Sequence, residues 1–238
     1  MIELAAFLGN PGLHYKNNRH NAAWLFAGTL PFYAALSWKD KFKGVYASLD
    51  GRTMFPGGPQ SAQGSQSGPE PGGPEAPEKV HFLFPQTFMN LSGESVARAA
   101  SFFKIKTENI LAVHDELELP LGTVSLKYGG GLGGHNGLRS MKAALSTADF
   151  WRLRIGIGRP PGRLPGDGGP PGSGGDVYSW VLSDFSREEE EVLAVTFNAL
   201  DSFFMEMLAK GPQALLPEWK KKALASNGGE KHEAGRQI

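Results

Sequence analysis

Apolar positions along this chain fall into two rhythms that take turns: short continuous runs of strand length, and longer stripes at helical spacing. Ile2 to Leu8 is a mostly apolar run that stops at Gly9-Asn10-Pro11-Gly12, which predicts a strand entering a tight turn. Residues 21–36 carry Trp24, Leu25, Leu30 and Leu36 in helical register, with Pro31 expected to bend or end the helix. Val45 to Phe55 and Val80 to Phe84 predict two further strands. Ser92 is read as the N-cap of a helix over 93–103, with Glu94 near the positive end of its dipole. Ile110 to His114 predicts a buried strand that delivers Asp115 at its carboxyl end, and Val124 to Lys127 another. Asn136 opens a helix to about Leu145, and Arg152 to Gly158 alternates as a strand. Ser186 and Glu189 form a capping box ahead of a long amphipathic helix to about Leu208, and a basic helix follows near 213–225. Strands that alternate with helices predict an α/β fold: a single domain over residues 1–225 with a twisted, mixed but largely parallel sheet covered by helices on both faces.

Composition changes this picture at two places. Residues 56–78 hold 12 Gly or Pro in 23 positions and residues 159–176 hold 12 in 18, too little apolar surface to offset the entropy of ordering. Both are expected to be mobile loops, and the tail after residue 225 to be disordered. The other 197 residues contain 25 Gly or Pro, an ordinary share for a globular domain. The sequence has no cysteine, which removes disulfide frameworks, thiol nucleophiles and thiolate metal sites together. The first residues carry Glu3 and no basic start, and no apolar run suggests a bilayer span, so a soluble cytoplasmic protein without a membrane partner is expected.

Charge is balanced, with 24 basic and 24 acidic side chains. The bases are nevertheless gathered around Lys39, Lys41 and Lys43, in Arg152, Arg154, Arg159 and Arg163, and at Lys220 to Lys222. A basic face for a nucleic acid is compatible with that distribution.

The candidate chemistry lies where α/β folds place their ligands, at strand ends. Asn10 follows the first strand, His20 and Asn21 open the next helix, Met89 and Asn90 follow Val80–Phe84, and Asp115 ends Ile110–His114. His135 and Asn136 follow the glycine run from Gly129 to Gly134. Imidazoles, one carboxylate and several carboxamides suit hydrolysis of an activated ester by water. An imidazole near neutral pKa takes the proton of water, a carboxylate fixes its tautomer, and carboxamides hold substrate or the developing oxyanion. No GxSxG elbow is present, so water rather than serine is the expected nucleophile. Each residue also has a plainer reading: a helix-start histidine caps, an Asp at a strand end turns the chain, and Asn10 forms a turn. Gly129, Gly131 and Gly134 satisfy a literal GxGxxG, but mid-chain, and the region near position 154, where a dinucleotide site would carry an acid at a strand end, is basic in Arg152 and Arg154. Close backbone approach to a phosphate or peptide remains a use for them.

Several strings together carry a resemblance. Gly9-Asn10-Pro11-Gly12 with Tyr15, Arg19-His20-Asn21, the run Thr87 to Gly93, His114 to Leu117, Gly129 to Gly131 with Gly133 to Leu138 (Leu132 between them departs from the pattern), and Leu153 to Gly158 resemble the bacterial-type peptidyl-tRNA hydrolase family. The resemblance implies a single α/β domain, monomeric, with no cofactor, no metal and no obligate protein partner, acting on peptidyl-tRNA. It implies that His20 is the catalytic base, that Asp115 supports it, and that Asn10 distinguishes a blocked peptidyl group from a free amine. Tyr15, Phe88, Asn90, Asn136 and His135 then belong to substrate binding, Met89 lines the cleft, and Lys127 and Arg154 hold tRNA phosphates. Both Gly/Pro-rich segments are expansions of the family pattern. The first is expected to be neutral and the second to lie on the tRNA side. Three alternatives stay open: a non-catalytic RNA-binding relative of the same fold, a dinucleotide enzyme resting on the glycine run, and a metal hydrolase built on His20, Asp115 and His135.

Overall fold

The computed structural model describes residues 1–51, 77–160 and 176–225. The expected mobile loops at 56–78 and 159–176 lie outside these residues except at their ends, and so does the tail after residue 225.

Eight strands join one sheet: β1 (Leu4–Phe7), β2 (Lys39–Lys41), β3 (Gly44–Asp50), β4 (Lys79–Pro85), β5 (Ile110–Glu116), β6 (Thr123–Tyr128), β7 (Trp151–Gly156) and β8 (Lys222–Ala223). Their order is β2-β3-β4-β1-β5-β7-β6-β8. The centre, β4-β1-β5-β7, is parallel, and both flanks are antiparallel. Every residue of β1 and β5 is buried, as expected of parallel strands covered on both faces. Alternation then sorts their side chains. Ala5, Phe7, Leu111 and Val113 enter one core with α1 (Ala22–Ala27), α5 (Arg187–Lys210) and α6 (Pro212–Trp219). Leu4, Ala6, Leu8, Ile110 and Ala112 enter the other with α2 (Ser92–Phe103) and α3 (Asn136–Leu145). A fifth short helix, α4 (Val177–Val181), precedes α5. The fold is therefore α/β with a mixed sheet, as expected.

Several elements depart from the sequence reading. The helix expected over 21–36 stops at Ala27, before Pro31 is reached. Gly28 caps it and the Thr29 hydroxyl bonds back to the Phe26 carbonyl at 2.7 Å, so a single 3-10 turn at Tyr33–Ala35 covers what remains. Ser92 is not the cap of α2 but its first residue, and the cap position is Leu91, which makes no side-chain cap bond. The basic helix expected to 225 ends at Trp219, and Lys222-Ala223 instead pair with β6. The edge strand β2, Lys-Asp-Lys and fully exposed, carries no hydrophobic rhythm by which to find it. The capping box stands: Ser186 Oγ accepts the Glu189 N–H and Glu189 Oε2 accepts the Ser186 N–H at 2.7 Å. The helix it opens, α5, is long and apolar enough to cross a membrane by length and composition, but half of that stretch is buried in the core. Its stripe Leu193, Phe197, Leu200, Phe204 and Leu208 packs beneath the sheet.

Candidate active site

The parallel strands β4, β1 and β5 share one carboxyl edge, and the loops that leave it bring the expected residues together. After β1 the chain reaches Gly9, where a Cβ would strike the Trp24 indole at 2.6 Å. That indole donates to the Phe7 carbonyl at 2.8 Å, so the absence of a side chain at Gly9 lets α1 close on the end of β1. Two residues before α1, a 3-10 turn at Arg19–Asn21 presents His20. Asn21 is wholly buried; its Oδ1 accepts the Asn10 N–H at 2.8 Å and its Nδ2 donates to the Asn10 carbonyl at 3.0 Å. Asn10 in turn accepts the Met89 N–H on its Oδ1 at 2.8 Å. Its oxygen is thereby taken, and its two Nδ2 protons have no acceptor among the described residues, which leaves them for a ligand.

Asp115 lies inside β5, not just beyond it, paired with Ile155 of β7. Its Oδ1 receives two imidazoles: His20 Nδ1 at 2.8 Å and His135 Nε2 at 2.9 Å. The tautomers follow from the remaining contacts. His135 Nδ1 accepts the backbone N–H groups of Gly137 at 3.1 Å and Leu138 at 3.4 Å, capping α3, so this nitrogen carries no proton. The proton sits on Nε2 and is given to Asp115. A carboxylate that takes one donor from His135 takes the other from His20 Nδ1, which leaves His20 Nε2 as an available lone pair. Burial would lower the His20 pKa, but the charge of Asp115 and its hydrogen bond outweigh burial and raise it above 6.5. Burial would raise the Asp115 carboxyl, and the charges of His20 and His135 with their hydrogen bonds hold it far below the ordinary carboxylate range instead. Beside it, His114 is fully buried with Nδ1 on the Asp115 carbonyl at 2.7 Å; burial, then the nearby His135 and Arg152, push its pKa well down and keep it neutral.

The donor atoms of His20, Asp115 and His135 lie within 4.8 Å of one another, close enough to suggest a metal. The hydrogen-bond pattern speaks against one there. A cation would need lone pairs on His20 Nδ1 and His135 Nε2, the two nitrogens whose protons hold Asp115, while His135 Nδ1 is committed to the α3 backbone.

Tyr15 and Phe88 stand edge to face with ring centroids 6.4 Å apart, Phe88 more than half exposed and Met89 buried beneath. Asn90 and Asn136 are exposed and flank the site, each directly after a residue bonded into it. Lys127 and Arg154 fall in a separate cluster on β6 and β7. Arg154 Nε donates to Glu116 Oε2 at 2.9 Å, next to Asp115 in β5, and Lys127 stands opposite Arg152 in register. Burial, then the charges of Arg152 and Arg154, lower the Lys127 pKa. Three cations around Glu116 leave positive charge unbalanced, which suits a phosphate.

Sequence reasoning placed Arg152 only in a basic group and did not find that Asn21 braces Asn10, and it counted His135 with the substrate contacts. Arg152 sits in a strand that alternates, which reads as a solvent position, yet it is 2% exposed, with its guanidinium bonded to the glycine run. Its Nη1 donates to the Gly131 carbonyl at 2.7 Å and ties down the glycine run, where Gly129, Gly130, Gly133 and Gly134 all take positive φ. For His135, the spacing to Asp115 was visible but the direction of its ring was not.

Residues 4–227 match the family described as peptidyl-tRNA hydrolase. A peptidyl-tRNA hydrolase from Treponema pallidum (strain Nichols) is 41% identical over 228 residues, covering 94% of this chain and 98% of that protein. Among solved structures, a peptidyl-tRNA hydrolase in complex with n-propanol is 32% identical and superposes with a TM-score of 0.67 over 92% of each chain. A peptidyl-tRNA hydrolase from Acinetobacter baumannii is 31% identical, with the same TM-score and coverage. With matches of this extent on a fold whose sheet edge gathers Asn10, His20 and Asp115, the chain belongs to the peptidyl-tRNA hydrolase family.

Proposed function

We propose that this protein hydrolyses the ester between a peptide and the 3′-terminal ribose of tRNA, with His20 as the base that activates water. The observation that carries the reading is the orientation of His20: Nδ1 is held on Asp115 at 2.8 Å, and Nε2 has no protein partner among the described residues. Water placed at Nε2 loses a proton to it as its oxygen bonds to the ester carbonyl carbon. Asp115 stabilises the imidazolium so formed. When the tetrahedral oxyanion collapses, the ester C–O bond breaks and the leaving ribose oxygen takes the proton back from His20. The products are a free peptide acid and a tRNA with its 3′ terminus restored.

Selection fits the amides. The free Nδ2 protons of Asn10 suit a peptide carbonyl, which a blocked amino group supplies and a free ammonium does not. Asn90 and Asn136 extend that polar wall, Tyr15 and Phe88 offer faces for the terminal base or an apolar side chain, and Met89 forms the floor. Lys127 and Arg154 bind phosphate without regard to sequence, as an enzyme serving all tRNAs requires. The same reading places the protein where translation occurs, in the cytoplasm, as a monomer without an obligate partner. The test is release of amino acid from N-acetyl-aminoacyl-tRNA and from unblocked aminoacyl-tRNA by wild type and His20→Ala. Wild type should cleave the first and largely spare the second. His20→Ala should be slower by roughly two to four decades while tRNA affinity is kept. Undiminished turnover in that variant removes His20 from the mechanism.

A further inference from the structure

A three-residue 3-10 turn is a weak support for a catalytic ring. Among the described residues His20 has a single side-chain hydrogen bond, to Asp115, so its aim depends on what fixes the turn itself. The neighbouring side chain, Arg19, is buried and directed away from the site, into the segment that joins α4 to α5. Its Nη1 donates to Ser183 Oγ at 2.6 Å, to the Asp184 carbonyl at 2.6 Å and to the Ser183 carbonyl at 3.2 Å. Its Nη2 donates to Glu189 Oε2 at 2.6 Å, and its guanidinium plane lies over the Trp180 indole, 3.7 Å from the ring centroid. The backbone joins in: Arg19 N–H donates to the Ser183 carbonyl at 3.0 Å, and Asn18 bridges to Asp184.

The far end of this clamp is itself tied down. Glu189 Oε2 is the same oxygen that closes the capping box of α5 on the Ser186 N–H, so the charge that holds Arg19 is fixed at the start of a helix whose stripe is core. Trp180 is held in place by its indole N–H on the Gly158 carbonyl at 2.9 Å, just beyond β7. The catalytic turn is therefore held at three places: on Asp115 through His20, on Asn10 through Asn21, and on the Trp180–Glu189 segment through Arg19.

We propose that Arg19 is a positioning residue for the hydrolysis, its clamp on Trp180, Ser183, Asp184 and Glu189 holding the turn so that His20 Nδ1 stays on Asp115 and Nε2 stays aimed at water. The proposal rests on the reading of His20 as the base. A fork with several N–H donors and a flat face is needed for this set of partners, so lysine keeps the charge and loses the geometry. Misplacing a catalytic group by an ångström through a change outside the chemistry costs about a hundredfold.

The experiment compares wild type, Arg19→Lys, Arg19→Met and His20→Ala on N-acetyl-aminoacyl-tRNA, below the melting transition of each. It is combined with long-range nitrogen–proton spectra of the histidine rings. Both Arg19 variants should lose about tenfold to a hundredfold in kcat with KM little changed. The His20 Nδ1–H signal should broaden or vanish while the His135 Nε2–H signal persists. A folded Arg19→Met with wild-type kcat overturns the proposal, and so does a fallen kcat with the His20 signal intact. If Arg19→Met does not fold, Trp180→Leu combined with Glu189→Gln loosens the clamp from the other side without altering the catalytic turn, and the same two outcomes decide. His20→Ala separates the failures. Activity retained there sinks the underlying mechanism, whereas activity lost there with the Arg19 variants unaffected sinks only the clamp.

Discussion

Replacing Asp115 by Asn tests the site most directly, because it preserves shape and removes one charge. In the resting protein Asp115 Oδ1 holds His20 Nδ1 at 2.8 Å and His135 Nε2 at 2.9 Å, and its side chain is 2% exposed. An amide oxygen in the same place still accepts from both rings. In the proposed mechanism the imidazolium that forms at His20 as water attacks would then face a dipole in place of a carboxylate. With charge centres roughly 4 Å apart and an effective dielectric of about 20, the lost attraction is on the order of 4 kcal/mol. Some of that is recovered by the amide dipole, so kcat should fall by about two to three decades.

The pH profile supplies a second, independent readout. As the proposed base His20 must be neutral to act, so activity should fall as pH drops through its pKa. In wild type that pKa stands above 6.5, because the carboxylate outweighs burial. In Asp115→Asn burial remains and the carboxylate does not, so the acid limb should move to lower pH, giving a slower enzyme that tolerates more acid. Stability follows the same linkage. A raised His20 pKa contributes stability that is fully present below 6.5 and is lost as pH rises through the folded value. The melting difference between the two proteins should therefore shrink across that window. The assay is single-turnover release from blocked aminoacyl-tRNA at a series of pH values. An acid limb that does not move, or a kcat within about tenfold of wild type, refutes the assignment of Asp115.

Three further substitutions probe other parts of the argument. Asn10→Ala should narrow the ratio of rates on blocked and unblocked aminoacyl-tRNA, and the orphaned Met89 N–H should cost about 1–3 kcal/mol of stability; an unchanged ratio removes Asn10 from selection. Lys127→Ala should weaken tRNA binding and reduce the slope of log affinity against log salt by about 0.7–0.9 while turnover at saturation is kept, measured by filter binding at several salt concentrations. Gly93→Ala places a methyl group on the Ser140 carbonyl oxygen, where α2 and α3 cross. It should cost roughly 1–3 kcal/mol or more in denaturant unfolding, and an unmoved midpoint would deny the close approach of those helices.

What could be read in advance follows the physics that produces each element. β1 and β5 announce themselves because strands buried on both faces are apolar throughout, and the Ser186–Glu189 box because its two hydrogen bonds are local in sequence. β2 and β8 are set by pairing with β3 and β6, partners that leave no periodic trace in Lys-Asp-Lys or Lys-Ala. The early end of α1 has a similar origin. Thr29 bonds back to Phe26 and outward to Asp201 of α5 at 3.1 Å, a tertiary contact that competes with two more helical turns.

The site divides along the same line. His20, Asp115 and Asn10 were legible because a parallel sheet sends consecutive strand ends to one edge, and the family strings name those positions. Their arrangement was not legible, because it is set by residues whose partners lie far along the chain. His135 reaches Asp115 across 20 residues only because the glycine run folds back with positive φ and Arg152 fixes Gly131, 21 residues before it. Arg19 meets Ser183 across 164 positions. A histidine after a glycine run and an arginine before a histidine each have many uses when read singly. On the reading proposed above they give His20 its tautomer and its aim, so what would separate an imidazole that caps a turn from one that activates water lies in these distant contacts rather than in His20 itself.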